Sequence, residues 1–165
     1  MPIEWSTPKT WETGTLVTAS DLNTHLRDNL EALKNPPTVM HRFTPNPVVQ
    51  ITSTTFVDID ASLNFSLPTK GGALMIGLVG RVYHNPGTNT DCYFDINING
   101  ASQGGTDGVL WLLGPNAYQL PFSVVWLTDP IEAGTQTVKI QCRRGSGNTN
   151  PVKIYDLFAW VREVS

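Results

Sequence analysis

Few residues in this sequence have the type and spacing that catalysis needs. His25, His41 and His84 are isolated from one another, and none has a partner at a metal-ligand spacing such as His-x-x-x-His. Gly145-Ser146-Gly147 falls short of the Gly-x-Ser-x-Gly turn that exposes a nucleophilic serine and reads as a flexible loop. No glycine-rich stretch ends in the Lys-Ser or Lys-Thr that holds phosphates. Asp95-Ile96-Asn97-Ile98-Asn99-Gly100 matches the first half of a calcium loop. The twelfth position of such a loop is a bidentate Glu; here it is Thr106, and Ile96 and Ile98 alternate as in a strand. Asp58 and Asp60 fall on one face of a strand and amount to a weak cation site at most. We expect no catalytic residue, no metal and no cofactor, and read the chain as non-enzymatic.

Two further groups carry chemistry of another kind. Cys92 and Cys142 are the only cysteines, both on the apolar side of expected strands. They are expected as buried free thiols, and their spacing leaves pairing open. Tyr83, Tyr93, Trp111 and Tyr118, with the Asn-rich loops, form a candidate ligand face. Aromatic platforms with amide hydrogen bonds hold glycans, so a host-surface glycan is the ligand class expected there. The competing reading makes them core and subunit-contact aromatics.

These groups need a scaffold, and composition bounds it. The chain has 165 residues, 40% hydrophobic and 15% charged, against about 25% charged in a typical domain. Thr, Asn, Ser, Gly and Pro fill the difference, a mix that suits strands and turns. The net charge is −3, and Arg143-Arg144 is the only adjacent basic pair. No basic stripe exists to neutralise phosphates, so nucleic acid is not an expected partner. No stretch reaches the roughly 18 apolar residues of a membrane span, so membrane insertion is not expected either. The first residues lack a basic and then apolar leader pattern, and synthesis in a cytoplasm is expected.

Three regions follow along the chain. Residues 1–15, with Trp5 and Trp11 among Pro2, Pro8 and Gly14, read as an extended arm that packs on its own helix or on another subunit. Residues 18–34 read as one short α-helix, opened by a capping box from Thr18 to Asp21 and stopped by Pro36-Pro37. Leu22, Leu26, Leu30 and Leu33 make a narrow apolar stripe on it. The same helix also reads as a two-heptad seam of Ala19, Leu22, Leu26, Asn29 and Leu33, with Asn29 as the polar group that fixes register. A stiff Pro-rich connector over 36–47 carries one strand, Val39 to Phe43.

Beyond about residue 48, period-two alternation takes over. Cys92, Phe94, Ile96 and Ile98 point one way and Tyr93, Asp95 and Asn97 the other; Asn99-Gly100 then supplies a tight turn. Ala73 to Val82 and Asp156 to Val164 are apolar on both faces, so each needs a cover beyond its own sheet. Seven to nine short strands with regular turn signals predict a mainly β protein: a jelly-roll-like β-sandwich preceded by an extended arm and one short N-terminal α-helix.

Residues 10–34 resemble an N-terminal segment of tail and fibre proteins of tailed phages. The resemblance rests on Trp11, Val17, Thr18, Ala19, Asp21, Leu22, Asn23, Arg27, Asp28, Asn29 and Leu30. In addition, Ile131 to Ile140 and Phe158 to Val164 look like the last strands of jelly-roll fibre heads, which resemble trimeric tumour-necrosis-factor-type sandwiches. The resemblance implies a structural component of a virion, on the tail, fibre or capsid surface, and a homotrimer. It transfers no catalytic residue.

The expected division is residues 1–37 as arm and attachment helix and 38–165 as the head. Trp5, Trp11, Val17, Leu22, Leu26, Asn29, Leu30 and Leu33 are the expected oligomer and attachment contacts, toward sister copies and other virion proteins. A carbohydrate-binding module without catalysis is the alternative.

Overall fold

Apolar side chains at every second position give a strand one face that must be buried, and two such sheets bury each other. The computed structural model describes residues 6–7, 9–30, 38–43, 48–83, 90–114, 119–147 and 150–164. By internal contacts the chain divides into Met1–Pro37 and Thr38–Ser165.

The second unit holds the strands. In chain order they are β1 (Thr38–Phe43), β2 (Val49–Ile51), β3 (Val57–Asp58), β4 (Asn64–Thr69), β5 (Ala73–Tyr83) and β6 (Thr90–Ile98). There follow β7 (Ala101–Ser102), β8 (Leu110–Gly114), β9 (Gln119–Pro130), β10 (Gly134–Arg144) and β11 (Val152–Val164). The first sheet runs β1-β11-β5-β9, with β2 also on β11; the second runs β3-β10-β6-β7, with β4 on β10 and β8 on β6. All these pairings are antiparallel.

The pairs nest: β2 with β11, β4 with β10, β5 with β9, and β6 with β8. That is the path of a jelly roll, one long antiparallel ribbon folded over into two sheets. The expected class is therefore the observed one. The strand count is higher than expected, because β3 and β7 are two-residue bridges that alternation does not mark. Several strands are also long, up to the 13 residues of β11.

The inner faces follow the sequence. Leu74, Ile76 and Leu78 of β5, Phe94 and Ile96 of β6, and Ile140 of β10 are fully buried. Each such side chain contributes roughly 1.5–3 kcal/mol by leaving water. Phe94 also meets Phe122 of β9 from the opposite sheet, with ring centroids 4.6 Å apart. Asn99 and Gly100 have φ of 51° and 91°, the left-handed pair that a two-residue hairpin requires.

Gly77 has a different duty. A Cβ there would stand 2.2 Å from the Trp160 ring, which lies across it from β11. Gly77→Ala should therefore displace Trp160 and lower stability by about 1–3 kcal/mol in urea unfolding. A glycine inside a strand is the sequence signal for such close approach.

The N-terminal unit is short of the expected regular α-helix. Its helical segment covers 19–30, opening as α1 (Ala19–Leu22), loosening to π geometry over Asn23–Arg27, and returning to α over 28–30. The capping box is present in full: Asp21 N donates to Thr18 Oγ1 at 3.1 Å, and Thr18 N donates to Asp21 Oδ2 at 3.2 Å. Residues 31–37 lie outside the described part, and with them Leu33.

Candidate interaction surfaces

The described part of the arm folds onto its own helix. Ser6 N donates to Asn29 Oδ1 at 2.8 Å, and Asn29 Nδ2 donates to Ser6 O at 3.0 Å and to His25 O at 3.2 Å. Asn29 is consequently buried within its own unit. Its amide, expected as the polar group of a seam between helices, is occupied by the arm of its own chain. His25 lies on the same side, with Nδ1 3.5 Å from Ser6 Oγ. Lys9 Nζ donates to Asp21 Oδ1 at 2.7 Å. That ammonium, then the Thr18 bonds, hold the Asp21 carboxyl well below the usual carboxylate range.

Next to these contacts the unit is apolar and open. Trp11, Val17, Leu22 and Leu26 are brought together, with Lys9 and His25, around a hollow of about 240 Å³. Lys9 Nζ sits 5.1 Å from the Trp11 ring centroid. Leu22, Leu26 and Leu30 recur every fourth residue, which the wider π turn keeps in line, and all three are exposed. Five of the expected attachment residues are thus placed on view: Trp11, Val17, Leu22, Leu26 and Leu30. Trp5 and Leu33 lie outside the described residues.

The outer face of the first sheet carries several exposed apolar side chains. One row crosses β1, β11, β5 and β9: Met40, Trp160, Gly77 and Val125 stand opposite one another in register. Adjacent rows add Met75 with Leu127, and Phe158 with Val79. Met40 is 62% exposed, Val125 58% and Leu127 60%, values that belong to surface lysines rather than to strand hydrophobics. At one end a groove of about 540 Å³ opens between Val79, Pro121 and Phe158. Arg81 closes its polar side, with Nε donating to Asp156 Oδ2 and Nη1 to Gln119 Oε1, both at 2.9 Å.

On the outer face of the second sheet, polar side chains bond one another. Lys139 Nζ donates to Asp58 Oδ2 at 2.8 Å, and Gln141 Nε2 donates to Asp58 Oδ1 at 2.7 Å. The Lys139 bond, then that of Gln141, holds the Asp58 carboxyl below its ordinary value. Asp60 instead accepts Ser62 N at 2.8 Å as the cap of a short 3₁₀ turn, so the two acids do not form a pair.

Asp95, expected on an outward face, is fully buried because residues 101–109 fold back over it; it accepts Gly104 N at 2.9 Å. Asn97 accepts Gly100 N, and Asn99 sits in the turn, so the calcium-like run is a hairpin.

The same face carries a stack. The Arg143 guanidinium lies 3.6 Å from the Tyr93 ring centroid and 5.2 Å from that of Phe56. Tyr93 and Trp111 follow, nearly parallel at 6° with centroids 6.1 Å apart. Trp111 is 57% exposed at the end of this row. The four-residue ligand face is therefore reduced. Tyr93 and Trp111 meet, but Tyr83 belongs to the other sheet, edge-on to Tyr155 at 6.1 Å, and Tyr118 lies outside the described residues.

Sequence reasoning missed Met40, Val79, Val125, Leu127 and Arg143. For Val125 and Leu127 the signal existed: both occupy positions that alternation assigns to solvent. Arg143 had none, since its ring partners come from distant segments.

No protein-family model matches the chain, and a search of curated proteins finds no match. Solved structures to which the chain shows some similarity include dimeric latent PorU from Porphyromonas gingivalis, at 6% identity and a TM-score of 0.45. The VP2 subviral particle of infectious bursal disease virus follows at 15% identity and a TM-score of 0.43, and the Gx strain of that virus at 16% and 0.41. The aligned part covers 78% of this chain against PorU and 76% against each viral chain. It spans 13% of PorU and 33% of each viral chain.

Proposed function

We propose that this chain is a non-catalytic structural component of a tailed-phage virion, a homotrimer that docks to other virion proteins through residues 1–37. The observation that carries the reading is the pair of unpartnered apolar surfaces. One is the outer face of the first sheet, centred on Met40, Val125 and Leu127; the other is the Trp11–Leu22–Leu26 hollow. Contiguous apolar surface of this kind is stabilised by burial against another chain. The resemblance of residues 10–34 to phage attachment segments supplies the setting.

The trimer is tested by light scattering on purified protein at micromolar concentration. Three times the monomer mass is expected, and a clean monomer counts against it. Docking is tested in the full chain with Leu22→Asp and Leu26→Asp together. The variant should keep its β-rich circular dichroism and fail to join the particle; normal incorporation would remove the attachment assignment.

A second reading, a carbohydrate-binding module, is favoured by the stacked Tyr93–Trp111 pair with its exposed indole. A glycan array with Trp111→Ala as control separates the two. Trp111-dependent binding by a monomer favours the module.

A further inference from the structure

Cys92 and Cys142 lie side by side in the sandwich core, both fully buried, with their Sγ atoms 3.4 Å apart. They project from neighbouring strands, β6 and β10, where Arg144 stands opposite Cys92 and Phe94 opposite Cys142. Two thiols in contact have three kinds of chemistry open to them. A metal would need more ligands, and among the described residues no group of three or more His, Cys, Asp and Glu gathers. A nucleophile needs an accessible thiolate of low pKa, whereas burial, with Cys142 adding to it, pushes the Cys92 thiol up. What remains is a bond between the two sulfurs.

We propose that Cys92 and Cys142 close an internal disulfide when the chain folds in contact with a small-molecule disulfide such as oxidised glutathione. The exchange takes two steps. One cysteine, as its thiolate, attacks a glutathione sulfur; the reagent's S–S bond breaks, and one glutathione leaves and takes up a proton. The second cysteine, deprotonated in turn, attacks its neighbour's sulfur in the mixed disulfide; the protein S–S bond forms and the second glutathione leaves as a thiol. Two protein S–H bonds and one glutathione S–S bond are lost, while one protein S–S bond and two glutathione S–H bonds are made. The protein loses two electrons and the glutathione gains them.

The sulfurs must approach by roughly 1.3 Å to reach a bonded distance of about 2.05 Å. The cysteines are diagonal across the β6–β10 ladder rather than directly opposite, so the bond draws the two strands together locally. Both sulfurs are sealed off in the folded head. Exchange therefore occurs before the sandwich closes or when it opens, and the finished bond is shielded from reductants. A reducing compartment keeps the pair as thiols; an oxidising medium converts it. The inference stands independently of the virion reading.

The test refolds the full chain with oxidised glutathione and, separately, with dithiothreitol. Each product is denatured, treated with N-ethylmaleimide and weighed. The oxidised product should carry no label, whereas the reduced product should carry two, so the oxidised product is lighter by two labels and two hydrogens. Bridging positions 50 apart should raise Tm by on the order of 10 °C, reversed by reduction under denaturing conditions. Cys92→Ala with Cys142→Ala should fold with one Tm in both buffers. Three outcomes overturn the proposal: both thiols labelled after oxidative refolding to native near-ultraviolet circular dichroism; glutathione adducts or intermolecular dimers in place of the internal bond; or a bonded form with non-native dichroism or an unchanged or lower Tm.

Discussion

The two sheets have equivalent inner faces and opposite outer ones. Inside, both present alternate Leu, Ile, Val and Phe to a shared core. Outside, the second sheet bonds Asp58 to Lys139 and Gln141 and lays its own loop over Asp95 and Arg143, through bonds to Gly104 and Thr106. The first sheet leaves Met40, Val79, Val125 and Leu127 uncovered. The second sheet also exposes Val57, Trp111 and Leu113, but on β3 and β8 at its margins, whereas the exposed apolar residues of the first sheet run across β1, β5 and β9. Inner faces specify the fold, and outer faces specify what the fold meets.

Four variants break or sharpen that contrast. The largest effect belongs to the shared core: Phe94→Ala should cost about 3–5 kcal/mol in urea unfolding, with both sheets lost together. Next comes Arg143→Ala, which removes the cation between Phe56 and Tyr93 and the bond to Thr106. It should cost about 2 kcal/mol and speed amide hydrogen exchange across 101–109 while leaving the first sheet protected. Third is the half-buried Asp58–Lys139 pair, worth about 0–1 kcal/mol. Because the folded Asp58 carboxyl is held below its unfolded value, its contribution is complete above about pH 4 and is lost as pH falls through the folded value. Asp58→Asn should flatten that part of the stability–pH curve.

The smallest effect on subunit stability belongs to Val125→Ser with Leu127→Ser, within about 0.5 kcal/mol. The same double variant should lower the mass seen by light scattering to that of one chain. Unchanged mass would mean that the uncovered face is not where copies meet.

How much of this was legible in the sequence depended on the range of the contacts. Alternation located the buried side of β6 at Cys92, Phe94, Ile96 and Ile98, because neighbours two apart suffice to show it. The capping box was legible from Thr18 and Asp21 for the same reason. The burial of Asp95 was not, since it depends on a loop that leaves the strand and returns. Asn29 had the spacing of a seam residue, but Ser6, 23 positions upstream, takes its amide. Tyr83 and Tyr93 look equivalent as letters; only the path of the ribbon assigns them to different sheets. Val125 and Leu127 were legible and went unread as surface, because an apolar residue invites a core assignment.

The nested path has a consequence for synthesis. β11 fills the middle of the first sheet, between β5 and the β1–β2 edge. A ribosome that stops before Val152 releases a product in which β5 and β1 have no strand between them, however complete the rest. Such a product should be degraded by protease in a pulse of minutes while the 165-residue chain survives. The first sheet, and with it the apolar row across its outer face, therefore cannot form until translation has passed through the central strand.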